Sequence, residues 1–238
     1  MTQQQLREYL DRMVLTLDKK DRAMLEARLQ SLVSVFPFNE YEFVLMFLRD
    51  RSVITFAQYE DLRSNYVAAN KYLNLYGLAP RIFGQVWGEQ HLRDLDSRFR
   101  KADRTVDPDH EGQYDLWIES VRVEVKAARA IDTKKRGDLV AKALRSDSDR
   151  PFWMNFQQLK LDACDVFVFI GVWVDQIRYW VLSNEKVRRN QYLSHQHRGG
   201  VEYQIGITEK NIQKFDGFLT DATQLADRVI ELGRKQAS

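Results

Sequence analysis

Three side chains carry the strongest chemical suggestion in this chain: Asp115, Glu124 and Lys126. In Val121-Arg122-Val123-Glu124-Val125-Lys126 the valines fall on one face of a strand and Arg122, Glu124 and Lys126 on the other, because side chains alternate along a strand. A hairpin turning on Glu119-Ser120 pairs positions whose numbers sum to 239, which sets Asp115 opposite Glu124. Opposed carboxylates repel unless a cation lies between them. Two carboxylates on neighbouring strands can share one Mg²⁺, a hard ion that keeps several waters for a substrate phosphate, and Mn²⁺ can substitute. Lys126 can orient a water, stabilise charge on a phosphate or, with a lowered pKa, take a proton. The set suits metal-assisted hydrolysis of a phosphodiester. The competing explanation is a solvated strand face, where E-x-K is common, but such a face normally sets unlike charges opposite one another.

The elements that must position these residues are legible from patterning. All eleven glycines lie at or after Gly77, and residues 1–76 hold ten basic and ten acidic side chains. This first part is expected to be helical. Thr2 with Gln5 and Thr55 with Gln58 form capping boxes, Asp21 can cap a second helix, a third spans 40–50, and the last should run from Thr55 to Gly77. Beyond Gly77, a helix is expected over 82–100, strands over 114–118 and 121–127, and a helix from Pro151 to Cys164. Val166–Val174, apolar on both faces, should be a central strand. Strands 176–183 and 201–207 and a helix over 219–235 complete the chain. The expected fold is α+β: a mixed β-sheet flanked by helices, with an all-helical N-terminal extension (1–76) ahead of a second domain (77–238).

Asp115 followed by Glu124-Val125-Lys126 on the second strand of a hairpin resembles the PD-(D/E)xK nuclease superfamily. The continuation EVKAARA, then an amphipathic helix FQQLKLDACD, then the apolar strand VFVFIGVWV, resembles its type II restriction endonucleases over residues 82–183. The resemblance implies that Asp115 and Glu124 ligate Mg²⁺, that Lys126 assists the attacking water, and that cleavage leaves a 5′-phosphate. It also implies an acid on the preceding helix, which by position is Glu89, with Glu111 a weaker alternative. The literal Pro-Asp pair is Pro108-Asp109, so Asp109 competes with Asp115; hairpin geometry favours Asp115.

Two basic stretches are candidates for nucleic acid. Residues 129–150 hold seven basic and four acidic side chains, and Lys134, Lys135 and Arg136 follow soon after Lys126, where a scissile phosphate would be gripped. The segment KVRRNQYLSHQHRGG mixes Arg188, Arg189 and Arg198 with Asn190, Gln191, His195, Gln196 and His197. Arginine suits guanine edges and amides suit adenine edges, so this stretch is expected to read bases. A solvated polar loop is the alternative for both. His91 and His110 stand alone and are expected to be structural or exposed. Phe36, Phe38, Tyr41, Phe43, Met46 and Phe47 suit a core or a dimer interface, and Trp153, Trp173 and Trp180 suit a core.

Composition narrows the classes. One cysteine, Cys164, excludes a disulfide framework and fits a reducing cytoplasm. No apolar run reaches the ~20 residues of a membrane span, and the polar start MTQQQLREYL is unlike a signal peptide. The expectation is therefore a cytoplasmic, Mg²⁺-dependent endonuclease on double-stranded DNA, with no membrane partner. Cutting two strands at a symmetric site implies a homodimer. A structure-specific repair or junction-resolving nuclease, and a non-catalytic DNA-binding or adaptor protein, are the alternatives.

Overall fold

The computed structural model describes residues 3–31, 39–195 and 202–235. The chain forms two compact units, one made by 1–77 with 136–142, the other by 78–135 with 143–238. Among the described residues no helix is long and apolar enough to cross a membrane.

The first unit carries helices α1 (Gln3–Leu15), α2 (Lys19–Ser31), α3 (Asn39–Asp50) and α4 (Phe56–Ala69). Leu17, Leu25, Leu45, Leu48, Ile54 and Leu62 form its core, and Tyr41, Phe43 and Phe47 pack against them. Met46 is exposed, while Phe36 and Phe38 lie outside the described residues. The Thr55–Gln58 capping box is present: Gln58 N donates to Thr55 Oγ1 and Thr55 N donates to Gln58 Oε1. Thr2 of the other expected box lies outside the described residues. Two boundaries differ from expectation. Asp18, not Asp21, caps α2, accepting from Asp21 N at 2.7 Å. The helix opened by Thr55 stops at Ala69, where Asn70 Nδ2 donates to Tyr66 O, and Leu73–Gly77 is a separate 3₁₀ turn.

In the second unit a π-helical turn (Ile82–Trp87) leads into α5 (Gly88–Leu95). Then follow β1 (Arg100–Lys101), β2 (Leu116–Ile118), β3 (Val121–Arg129), β4 (Ile131–Asp132), β5 (Phe152–Leu159), β6 (Val166–Val172) and β7 (Ile177–Ser183). The chain ends with α6 (Asn184–Arg188), β8 (Leu193–His195), β9 (Tyr203–Thr208), β10 (Leu219–Thr220) and α7 (Leu225–Arg234). The main sheet is mixed, ordered β1-β2-β3-β6-β7-β10, with β3 and β6 parallel and the other pairs antiparallel. All seven residues of β6 are buried, as a strand covered on both faces requires. The fold is thus α+β, a mixed sheet with helices, preceded by helices.

The segment after Pro151 corrects the sequence-based expectation. It is a strand, not a helix, and it belongs to a second, antiparallel sheet ordered β4-β5-β9-β8. Phe152, Met154 and Phe156 alternate inward, but Gln158 adopts φ +57° in a bulge, so the next inward residue is Leu159. That extra residue turns a spacing of two into a spacing of three and imitates a helical period. The inward face of this sheet packs on the main sheet through Phe156 against Phe169 (4.7 Å between ring centroids) and through Met154 beside Gly171. Trp173 and Trp180 are buried there, whereas Trp153 points outward and is 45% exposed. On the opposite face of the main sheet, α7 packs over β3, β6 and β7, and α5 over β3.

Candidate active site

β2 and β3 pair Leu116 with Val123, Trp117 with Arg122 and Ile118 with Val121, around a two-residue turn with Glu119 at φ +44° and Ser120 at φ +70°. The register is the one whose paired numbers sum to 239. Regular pairing stops at Leu116, one residue short of Asp115. There the Asp115 side chain substitutes for a strand partner: Oδ2 accepts from Val125 N at 2.8 Å. Its main chain is held on both sides, N to Val123 O and O from Ala102 N, each at 3.1 Å. Oδ1 carries no hydrogen bond among the described residues.

Glu124 is only 2% exposed, pressed beside Phe167 of β6. Oε1 pairs with Lys126 Nζ at 2.5 Å, while Oε2 is buried with no hydrogen-bond partner among the described residues. Burial pushes the Glu124 carboxyl up to about 7; the charge of Asp115 pushes the same way, and Lys126 and Lys160 oppose it. Burial alone would lower the Lys126 ammonium, but Glu124 and Asp115 outweigh it and raise its pKa. Lys126 is therefore held as a cation here, which favours charge stabilisation over taking a proton.

Glu89 joins this group from another element. Gly88 sits close on β3, where an added Cβ would lie 3.4 Å from Ala127 Cβ, and this close approach delivers the next residue to the sheet end. The Glu89 carboxyl is pushed up to about 7, first by burial and next by Asp115, with Glu124 adding to it and Lys101 and Arg93 opposing. Asp115, Glu124, Lys126 and Glu89 thus form one electrostatic cluster. Asp109 is exposed in the preceding loop, where its N–H donates to Asp107 Oδ1, and Glu111 is exposed beside Arg104.

Lys160 and Lys101 act on the cluster without standing out in the sequence. Lys160 could have been found only by reading 152–159 as a strand, which puts its end beside Glu124. His91 is structural, as expected: it stacks between Trp87 and Tyr179, with Nε2 2.7 Å from the Tyr179 hydroxyl. His110 packs edge-on against Tyr114.

The basic candidates are scattered. Lys134 and Lys135 are exposed, and their backbone N–H groups donate to Oδ1 of buried Asp132, which fixes that turn. Arg136 is exposed and belongs to the first unit. Arg188 is occupied locally by Asn184 Oδ1, Leu161 O and Asp162. Arg189 pairs with Glu185 at 2.9 Å, and Asn190 Oδ1 accepts from Tyr192 N. These three side chains each hold a partner within the chain, with Arg189 still largely exposed. His195 is exposed beside Tyr203. Gln196, His197 and Arg198 lie outside the described residues.

The donors suit a small hard cation in kind: one buried, unsatisfied carboxylate oxygen on Glu124 and one free oxygen on Asp115. Among the described residues no three His, Cys, Asp or Glu side chains converge as a ready metal cage. Two carboxylates, with water and a phosphate completing the shell, match the way Mg²⁺ is usually held. The chain matches no protein-family model and no curated protein.

Proposed function

We propose that this protein is a divalent-metal-dependent endonuclease that hydrolyses phosphodiesters in double-stranded DNA, acting as a type II restriction enzyme and a homodimer in the reducing cytoplasm. The observation that carries the reading is Glu124: a buried carboxylate with an unsatisfied oxygen, set against Asp115 and Glu89 and paired with Lys126. A fold gains no stability from a buried carboxylate oxygen left without a partner beside other carboxylates, because each such group costs free energy. Clustered perturbed carboxylates mark sites of function more often than of structure.

Asp115 and Glu124 would hold Mg²⁺ or Mn²⁺, which when bound would neutralise charge at the scissile phosphate and acidify a water. Lys126 keeps its ammonium on Glu124 Oε1 and so stands ready to orient the water and to balance charge on the phosphate. Glu89, with its pKa near 7, can exchange a proton around neutrality. The departure at β5, a strand where the resemblance implies a helix, leaves this end of the main sheet intact.

Plasmid incubated with the protein and Mg²⁺ should give discrete fragments, and none with a chelator. Asp115→Ala and Glu124→Ala should abolish cutting. Without substrate, Mg²⁺ should raise the melting temperature of the wild type and not of Glu124→Ala, since a ligand of the native state stabilises it. Cleavage of branched substrates alone would make it a junction nuclease, and an absence of both cutting and metal binding would overturn the reading.

A further inference from the structure

The outward face of the second sheet has no part in the site above, and its chemistry is unusual. Side chains at alternate positions of β5 leave the core: Trp153, Asn155 and Gln157. Gln204 on β9 and Ser194 on β8 are cross-strand partners, and Asn155 Nδ2 donates to Gln204 Oε1 at 3.1 Å. Asn155 Oδ1, however, is buried with no partner among the described residues. Trp153 lies over Gly206, where an added Cβ would meet the indole at 3.7 Å, and yet remains 45% exposed. No charged residue occurs from Phe152 to Leu159. Strands are ordinarily poor in Asn, yet this face carries amides, a large indole and a buried carbonyl without a partner among the described residues.

Lysines stand at both ends of this face, with Glu209 at the first end and exposed Asp162 at the second. Exposed Lys134 and Lys135 follow β4 at one end. At the other, Lys160 follows β5 and acts on Glu124. A β5 of eight residues is about 26 Å long, roughly the rise of seven to eight base pairs. Amides both donate and accept, which base edges demand and phosphates do not. A neutral sugar would also suit an indole beside amides, but it has no use for lysines at both ends.

We infer that this outward face is a base-reading surface for double-stranded DNA, with Gln157 contacting base edges and Trp153 packing beside it. The inference rests on the nuclease reading. It adds to the 188–198 stretch a second base-reading element, a strand whose following residue, Lys160, acts on Glu124.

The test is selection from a random-sequence duplex library by the full-length protein in Ca²⁺, with cleavage of the selected duplex measured in Mg²⁺. Wild type should enrich a consensus. Gln157→Ala, an exposed change that leaves the core alone, should weaken binding to the enriched duplex about tenfold or more, change binding to a scrambled duplex less than about twofold, and relax the consensus at one or two positions. Trp153→Ala should do the same. If wild type enriches and cuts a consensus that Gln157→Ala and Trp153→Ala leave unchanged, the inference fails and the nuclease reading stands. If no duplex is bound or cut, both fail; retention on a glycan array that Trp153→Ala abolishes would then assign the face to carbohydrate.

Discussion

Asp115 has two jobs that substitution can separate. Its Oδ2 replaces a strand acceptor for Val125 N, and its charge acts on Glu89 and Glu124. Asp115→Asn keeps an acceptor and should lose activity with a stability change under about 1 kcal/mol, whereas Asp115→Ala orphans a buried N–H and should cost about 1–3 kcal/mol in denaturant unfolding. Asp109→Ala, in the exposed loop, should leave both unchanged. Glu124 makes a pH prediction. With its carboxyl near 7 when folded against an ordinary 4.5, the unfolded chain ionises first, so the folded state loses stability as pH rises from about 4.5 to 7. Glu124→Gln lacks that loss. Without metal, its stability relative to wild type should therefore grow across this window by up to about 3 kcal/mol, and a flat difference would contradict the assignment. Asp115, Glu124 and Lys126 were legible because strand alternation and hairpin register are local. That Glu89 stands with them follows from tertiary packing of Gly88 on β3, which no local spacing reveals. The amides of β5 were hidden for the same reason that β5 itself was.

At the scale of elements, the hairpin and β6 follow directly from their patterns, Val-x-Val-x-Val in one case and an unbroken apolar run in the other. β5 was illegible because one bulged residue, Gln158, changes the phase of its inward positions. The contact between the two sheets depends on Gly171. A Cβ there would sit 2.5 Å from the Trp180 ring and 2.9 Å from Met154 Sδ, neither of which has room to retreat between packed sheets. Gly171→Ala should cost about 1–3 kcal/mol, read as a fall in melting temperature. A variant that melts like wild type would mean that the sheets have slack at this point.

For the whole molecule, the formal net charge is only +2, so affinity for DNA must come from local clusters. Replacing Lys134, Lys135 and Arg136 together by Ala should weaken binding to all duplexes alike. The salt dependence should also become shallower, by about one unit of log–log slope for each phosphate that is no longer neutralised. An unchanged slope would return those residues to a solvated loop. Sedimentation should find a particle of about twice 28.1 kDa if the symmetric-cutting argument holds. The existence of a helical first part was legible from its lack of glycine. That its unit also takes in residues 136–142 was not, because nothing in the composition of that loop marks where it docks.

That borrowed loop bears on how the protein is made. Residues 1–77 leave the ribosome ahead of the segment that completes their unit, which is synthesised about 60 residues later, a delay of roughly 3–12 s at ordinary translation rates. The core residues of that unit, from Leu17 to Leu62, are all made before that segment, and β2 and β3 emerge in between. The parallel partner of β3, β6, comes later still, after the loop has been committed to the other unit. A single cut in the gene after Gly77 therefore separates residues 136–142 from the helices with which they are grouped.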